Sequence, residues 1–310
     1  MTEAGAQSSG PPWPAGAAWM DGGYRPIGDA RISVLDLGVT RSDCGYDVAH
    51  VWRGRFYRLD AHLDRFTASL TRLRLDPGHD RGEIEEILHG CVRHAGLQDA
   101  YVSMTCTRGR LPPGSRDLRE ARNTFYCYAV PFVWISSPDK QLRGASLRVS
   151  EVTRIPAQSV DPAVKNYHWL DLDLALLDAY DHGAELAVLR DLSGAVTEGQ
   201  GFNLFAYLDG RWLTPGSGVL SGVTRRSVIE IAAEDGQRVE EGRLTAEELR
   251  RAAEVLVTST AGGVMPVTVI DGAPVGTGEP GQLTVRLRDA YWARHEDPRY
   301  SAPVRYEDEA

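Results

Sequence analysis

What most restricts the fold of this chain is the order of its periodicities. Strand-like segments come in runs and helix-period segments stand apart from them, so strict β-α-β alternation is absent and an α+β class is expected. From Tyr24 the pattern is strand-like: a short edge piece, then Ile32-Ser33-Val34-Leu35, then residues 46–52. A tight turn at Arg53-Gly54 leads to Arg55-Phe56-Tyr57-Arg58. Asp60 is placed to cap a helix whose Leu63, Phe66, Leu70 and Leu73 recur at spacings of three and four. A second helix carries Ile84, Ile87, Leu88 and Cys91 on one face, and strands at 101–107 and 124–134 flank a Pro/Gly/Arg-rich loop at 109–121.

The later part repeats the theme. A strand at 145–154 and a helix at 170–182 precede a hairpin built on 204–208 with its turn at Asp209-Gly210. A helix starts near Arg225, a β-prone segment at 255–259 precedes Gly262-Gly263, and a strand runs through 267–270 before a last helix at 281–294. With 310 residues the chain is long enough for two domains. Their expected limits are a disordered tail at 1–18, a small N-terminal α+β domain at 19–135, a polar linker at 136–144 and a larger C-terminal domain at 145–310.

Composition removes whole classes of function. The net charge is −9, from 43 acids against 34 bases, which argues against a nucleic-acid footprint. No run of about 18 apolar residues exists to span a membrane. Glu3 is present and no Lys or Arg precedes Arg25, so a secretory signal is not expected and a cytoplasmic location is. Cys44, Cys91, Cys106 and Cys127 are sparse, form no C-x-x-C pair and read as buried thiols. No G-x-G-x-x-G, Walker lysine loop, H-E-x-x-H or G-x-S-x-G occurs, and His50 and His62 read as structural rather than metal-binding.

Chemistry gathers in four separate pieces. Only two of the 34 basic residues are lysines, Lys140 and Lys165. Lys140 sits in a polar stretch, whereas Lys165 lies in Val164-Lys165-Asn166-Tyr167-His168-Trp169, where burial would lower its basicity and free the amine for a carbonyl. Glu198, in Thr197-Glu198-Gly199, is hemmed by glycines that allow a ring to approach a carboxylate. Leu220-Ser221-Gly222-Val223-Thr224-Arg225 opens a helix whose free N–H groups and Thr224 hydroxyl suit a phosphate. Thr258-Ser259-Thr260-Ala261-Gly262-Gly263 is a second hydroxyl-rich turn of that kind.

A lysine, a carboxylate for a ring nitrogen and two phosphate turns together point to pyridoxal 5′-phosphate. In this order they resemble the class IV aminotransferases, the fold-type IV pyridoxal enzymes that include branched-chain and D-amino-acid aminotransferases and aminodeoxychorismate lyase. Within the family the chain looks most like the (R)-selective amine transaminases, through residues 42–48, Val164-Lys165-Asn166, Thr197-Glu198-Gly199, Gly222-Val223-Thr224-Arg225 and residues 260–266. The resemblance implies a two-domain α+β fold with the cofactor between the domains, and a homodimer. It implies that Lys165 takes the cofactor aldehyde as a Schiff base and shuttles the substrate proton. It gives Glu198 the pyridine nitrogen, and Arg65, Val223, Thr224 and Thr260 the phosphate, with Leu220 packed on the ring.

Specificity is where the chain departs from that group. Arg41 stands where those enzymes carry a histidine, and the loop arginine they use for a carboxylate falls at Gly114, with Arg110 and Arg116 nearby. Arg41 is therefore a candidate carboxylate anchor, with Tyr46, Val48 and Trp169 as pocket walls. The expectation is ping-pong transfer from D-amino acids or (R)-primary amines to a 2-oxo acid such as pyruvate or 2-oxoglutarate. The alternatives are an aminodeoxychorismate-lyase-like reaction, branched-chain L-amino-acid transfer, and a non-enzymatic cofactor-binding homologue.

Overall fold

The structure, a computed structural model, describes residues 13–307. The first layer is built from β1 (Ala17–Met20), β2 (Gly23–Pro26), α1 (Leu37–Arg41), β3 (Cys44–Trp52) and β4 (Arg55–Tyr57). It continues through α2 (Leu59–Leu73), α3 (Arg81–Ala95), β5 (Ala100–Arg110) and β6 (Arg122–Pro131). The strands pair antiparallel in the order β4-β3-β5-β6-β1-β2. Alternation along β5 sends Ala100, Val102, Met104 and Cys106 into one core with Leu63, Phe66 and Leu70 of α2 and Ile84, Leu88 and Cys91 of α3. The opposite face of the same sheet carries Tyr46, Val48 and Tyr101, and that face borders a cavity.

Three local expectations change. The expected tail lies mostly outside the described residues, but its last two residues, Ala17 and Ala18, are 0% and 3% exposed within β1. Their small side chains fit a sheet interior, and at Gly16 a Cβ would lie 2.6 Å from the Ala129 carbonyl. The segment 32–35 is a turn rather than a strand, with Val34 and Leu35 78% and 72% exposed. Asp36 breaks the pattern by accepting the Gly38 N–H at 2.8 Å and capping α1. Helix α2 starts at Leu59 behind Arg58, which takes a left-handed conformation, and Asp60 lies within the first turn without capping it.

The second layer comprises α4 (Pro138–Arg143), β7 (Ala145–Thr153), α5 (Leu170–Asp181), β8 (Leu186–Arg190), β9 (Val196–Gly199), β10 (Asn203–Leu208) and β11 (Arg211–Pro215). It is completed by α6 (Val223–Glu234), β12 (Val239–Gly242), α7 (Ala246–Arg251), β13 (Glu254–Ser259), β14 (Gly263–Ile270), β15 (Ala273–Pro274) and α8 (Gln282–Ala293). The mixed sheet runs β12-β11-β10-β13-β14-β7-β8-β9, with parallel pairs at β11–β12, β14–β7 and β7–β8. The hairpin turn has Asp209 and Gly210 both at positive φ, as a two-residue turn between twisted strands requires.

The connector at 136–144 is not a plain linker. It forms α4, whose buried Gln141 donates to the carbonyls of Ser136 and Gly262, while Lys140 and Arg143 both pair with Glu185. The last strand, β16 (Ser301–Pro303), pairs with β4 and so completes the first sheet, not the second. All four cysteines are buried and free. Among the described residues no helix is long and apolar enough to cross a membrane, and no cluster of metal-ligating side chains occurs.

Candidate active site

A cavity of about 240 Å³ is lined by residues from both layers. Lys165 stands in its wall, between β7 and α5, and is pinned at two backbone points. Its N–H donates to Ser69 Oγ at 3.1 Å, and its carbonyl accepts the Tyr46 N–H at 3.1 Å. Its Nζ lies 4.5 Å from the centre of the Tyr46 ring, which in turn stacks on Tyr167 at 3.9 Å. Lys165 makes no ion pair with a carboxylate among the described residues. Burial, and then the Arg65 charge, lower this amine to about 8, against the opposing pull of Asp47 and Glu198.

Arg65 is aimed by a buried carboxylate. Its Nε donates to Asp47 Oδ2 at 2.7 Å and its Nη2 to Asp47 Oδ1 at 2.8 Å, while Nη1 reaches the Ser221 carbonyl at 3.1 Å. His62 also donates to Asp47, at 2.9 Å. Burial works to raise the Asp47 carboxyl, but Arg65 and His62 outweigh it and hold the group well below the usual carboxylate range. The bidentate geometry fixes the guanidinium plane beside the start of α6.

Glu198, on β9, is 7% exposed. Its Oε2 accepts from the Leu220 N–H at 2.9 Å and from Asn203 Nδ2 at 3.4 Å, and its Oε1 accepts from Arg154 at 3.3 Å. Burial pushes this carboxyl up, and Arg154 and the Leu220 N–H offset part of that rise. Helix α6 opens at Gly222, where no side chain caps the first turn. Glycine is needed there, since a Cβ would lie 2.1 Å from Asn203 Oδ1. The unmated N–H groups of Val223 and Thr224 and the helix dipole make that end an anion seat.

These residues suit pyridoxal 5′-phosphate on the structure's own terms. The cavity holds an amine without a carboxylate partner, an uncapped helix start beside a fixed arginine, and a buried carboxylate with one oxygen lightly used. It is also lined by Thr258, whose hydroxyl is buried and has no hydrogen-bond partner.

The cavity brings together Lys165, Arg65, Glu198, Leu220, Val223, Thr224 and Thr260, and also Tyr46, Val48 and Trp169. It does not include Arg41, Arg110 or Arg116, which are exposed and outside its lining. Arg41 ends α1 and the other two lie at the end of β5 and in the loop after it, so spacing along the chain did not carry them inward. Asp47, Arg154 and Asn203 were not singled out from sequence. An aspartate between Tyr46 and Val48 in an apolar strand was a usable sign of a buried charge, whereas Arg154 was one arginine among many.

Comparison with known proteins gives the family. Residues 45–270 match the amino-transferase class IV family, and the chain belongs to it. It is a pyridoxal-phosphate-dependent aminotransferase. The chain is 31% identical over 287 residues to the branched-chain-amino-acid aminotransferase of Pseudomonas aeruginosa, covering 89% of this chain and 92% of that one. It is 28% identical over 265 residues to the D-alanine aminotransferase of Bacillus licheniformis, covering 84% and 91%. Its fold matches that of a branched-chain amino acid aminotransferase, from the source abbreviated T.th., solved with pyridoxamine 5′-phosphate. There the TM-score is 0.87 at 30% identity, covering 94% of this chain and 99% of that one.

Proposed function

We propose that this aminotransferase is of the branched-chain type, exchanging the amino group of an L-amino acid with an apolar side chain against a 2-oxo acid such as 2-oxoglutarate. The observation that carries this reading is the cavity wall. Val48, Tyr101, Val133, Ile135 and Trp169 line it, and the two arginines that reach it are both engaged by carboxylates of the chain. An aliphatic side chain gains about 25 cal/mol per Å² buried against such a wall, whereas a charged side chain meets no uncommitted arginine. The branched-chain relatives named above support the same substrate class.

The D-amino-acid preference expected from sequence leaned partly on Arg41 as a carboxylate anchor, and Arg41, Arg110 and Arg116 all lie outside this cavity. Since either enantiomer brings a carboxylate, the choice of the L form rests on the branched-chain relatives. Transfer from (R)-primary amines is the second reading. It is favoured by Tyr46, backed by the stacked Tyr167 ring, and by Trp169 edge-on at 6.2 Å from Tyr46, since Tyr46 and Trp169 give the cavity an aromatic wall for an aryl group that has no carboxylate to bind.

When bound, the cofactor supplies an aldehyde for the amine and a ring that accepts the electron pair left when the substrate Cα proton departs. The chain's own residues do the rest. Arg65, the α6 N-terminus and Thr224 hold the phosphate, with Thr260 as a further hydroxyl donor. Glu198 would hold a proton at the ring nitrogen, and Leu220 would lie beside the ring. The Lys165 amine, with a proton affinity set near neutrality, takes the proton from one carbon and returns it to another. Tyr46 and Trp169 exclude water from that transfer.

We also infer a homodimer, supported by the exposed apolar residues Ile32, Val34, Leu35 and Val39 beside the first sheet. In such a dimer Arg41, Arg110 and Arg116 act on a substrate carboxylate only if their loops reach the second copy's cavity.

Half-reactions of the holoenzyme with L-leucine, D-alanine and (R)-1-phenylethylamine, followed by the cofactor's absorption, test the assignment. Conversion by L-leucine alone is expected. Conversion by the amine alone would replace this reading with the second one, and conversion by D-alanine alone would contradict both.

A further inference from the structure

Arg154 is the one charged side chain of the cavity that the reaction, as derived, leaves without a task. It follows β7, where its N–H donates to the Arg190 carbonyl at 2.9 Å and fixes its backbone. Its side chain is 12% exposed and bridges two carboxylates. Nη1 donates to Asp171 Oδ2 at 2.7 Å and Nη2 to Glu198 Oε1 at 3.3 Å, while the buried Nε has no partner.

The two ends of the bridge differ. Asp171 is saturated: the same Oδ2 accepts the Ile155 N–H at 2.7 Å, and Oδ1 accepts the Leu172 N–H at 2.9 Å. It is a fixed anchor. Glu198 is divided, with Oε2 taken by Leu220 and Asn203, and Oε1 touched by Arg154 alone among the described residues. A buried carboxylate with one loosely held oxygen can turn or take up a proton. A guanidinium pinned from behind opposes both changes, since it attracts only the ionised form and from one direction.

We propose that Arg154, anchored by Asp171, is a positioning residue that keeps Glu198 ionised and turned to the cavity, so that the shared proton resides on the cofactor's ring nitrogen rather than on the carboxylate. The inference rests on the assignment of Glu198 to that nitrogen. It is a matter of proton placement and adds no proton: one proton lies between the nitrogen and the carboxylate, and the Arg154 charge makes the carboxylate the poorer base of the two.

The test reads that proton directly. The holoenzyme is reconstituted with ring-¹⁵N-labelled pyridoxal 5′-phosphate, and the nitrogen resonance is recorded for the wild type, Arg154→Met, Arg154→Lys and Glu198→Gln. The wild type and Arg154→Lys are expected in the pyridinium range, because both keep a cation beside Glu198. Arg154→Met should shift toward neutral pyridine, with kcat lowered by about 10- to 100-fold. An Arg154→Met resonance identical to the wild type, whatever its activity, would overturn the proposal. Should Arg154→Met not fold, Arg154→Gln takes its place, with the same two outcomes. An unshifted Glu198→Gln would overturn the assignment of Glu198 itself, which separates failure of the premise from failure of the inference.

Discussion

Arg65 and Asp47 meet as a fork on a carboxylate, with both hydrogen bonds under 3 Å and Asp47 fully enclosed at 0% exposure. The pair joins α2 to β3 and presents the third guanidinium nitrogen to the Ser221 carbonyl at the entrance to α6. The proposed phosphate seat is thus built from two layers of the fold, and the Arg65 guanidinium is held in place by the chain itself.

Asp47→Asn should therefore cost more than its distance from the chemistry suggests. It leaves Arg65 buried without its counter-charge and turns the oxygen that accepts from Arg65 Nε into an NH2 donor, a loss of about 3–5 kcal/mol in stability. Denaturant unfolding of the apoprotein measures that loss. The dissociation constant of pyridoxal 5′-phosphate should also rise at least about tenfold, as Arg65 loses its orientation.

The lowered basicity of Lys165 predicts how the apoprotein takes up its cofactor. The free amine is the form that reacts with an aldehyde, and it is half populated at about 8. Stopped-flow association should speed up about tenfold per pH unit below that value and level off above it. A rate still climbing at pH 10 would mean that the amine is not lowered.

Acid should destabilise the fold through its buried histidines. His295 Nδ1 faces the Tyr291 carbonyl at 3.0 Å and must carry its proton there, so its Nε2 accepts from His50 Nε2–H at 2.7 Å. Both rings are neutral, and burial lowers His295 and His89 to about 4. In the unfolded chain a histidine titrates near 6.5. Between these values the unfolded state binds the extra protons, so stability is complete above about 6.5 and is lost as pH falls toward 4. Urea midpoints at pH 7.5 and pH 5 should show this fall, and a His50→Asn, His295→Asn double variant should show less of it.

Arg41→Ala should leave the L-leucine half-reaction within about twofold of the wild type, because the side chain is exposed and outside the cavity. A large loss, read by single-turnover absorption, would instead assign Arg41 a role in a second copy's cavity.

The sequence was most legible where a residue type was rare or its neighbours unusual. Lys165 stood out as one of two lysines, and Glu198 as an acid between glycines, and both line the cavity. Periodicity found the existence and buried faces of α2 and α3, and the limits of α5 within a residue, because one apolar face of each helix meets a sheet. It misread 32–35, where a run of β-prone residues has no strand to pair with, and it could not foresee that β16 returns to β4 across the whole chain. Loop arginines were the least legible, since spacing along a chain says little about where a loop tip points. Arg154 and Asp47 escaped notice because their meaning lies in partners far along the chain, on α5 and β9 for Arg154 and on α2 for Asp47.

The central claim is that Lys165 is the amine that receives the cofactor. Borohydride treatment of the holoenzyme followed by peptide mass mapping tests it most directly, as Lys140 is the one other lysine in the chain. The reduced cofactor's mass is expected on the peptide containing Lys165 and not on that containing Lys140. Label on Lys140, or no label on either lysine of a fully reconstituted protein, would contradict it.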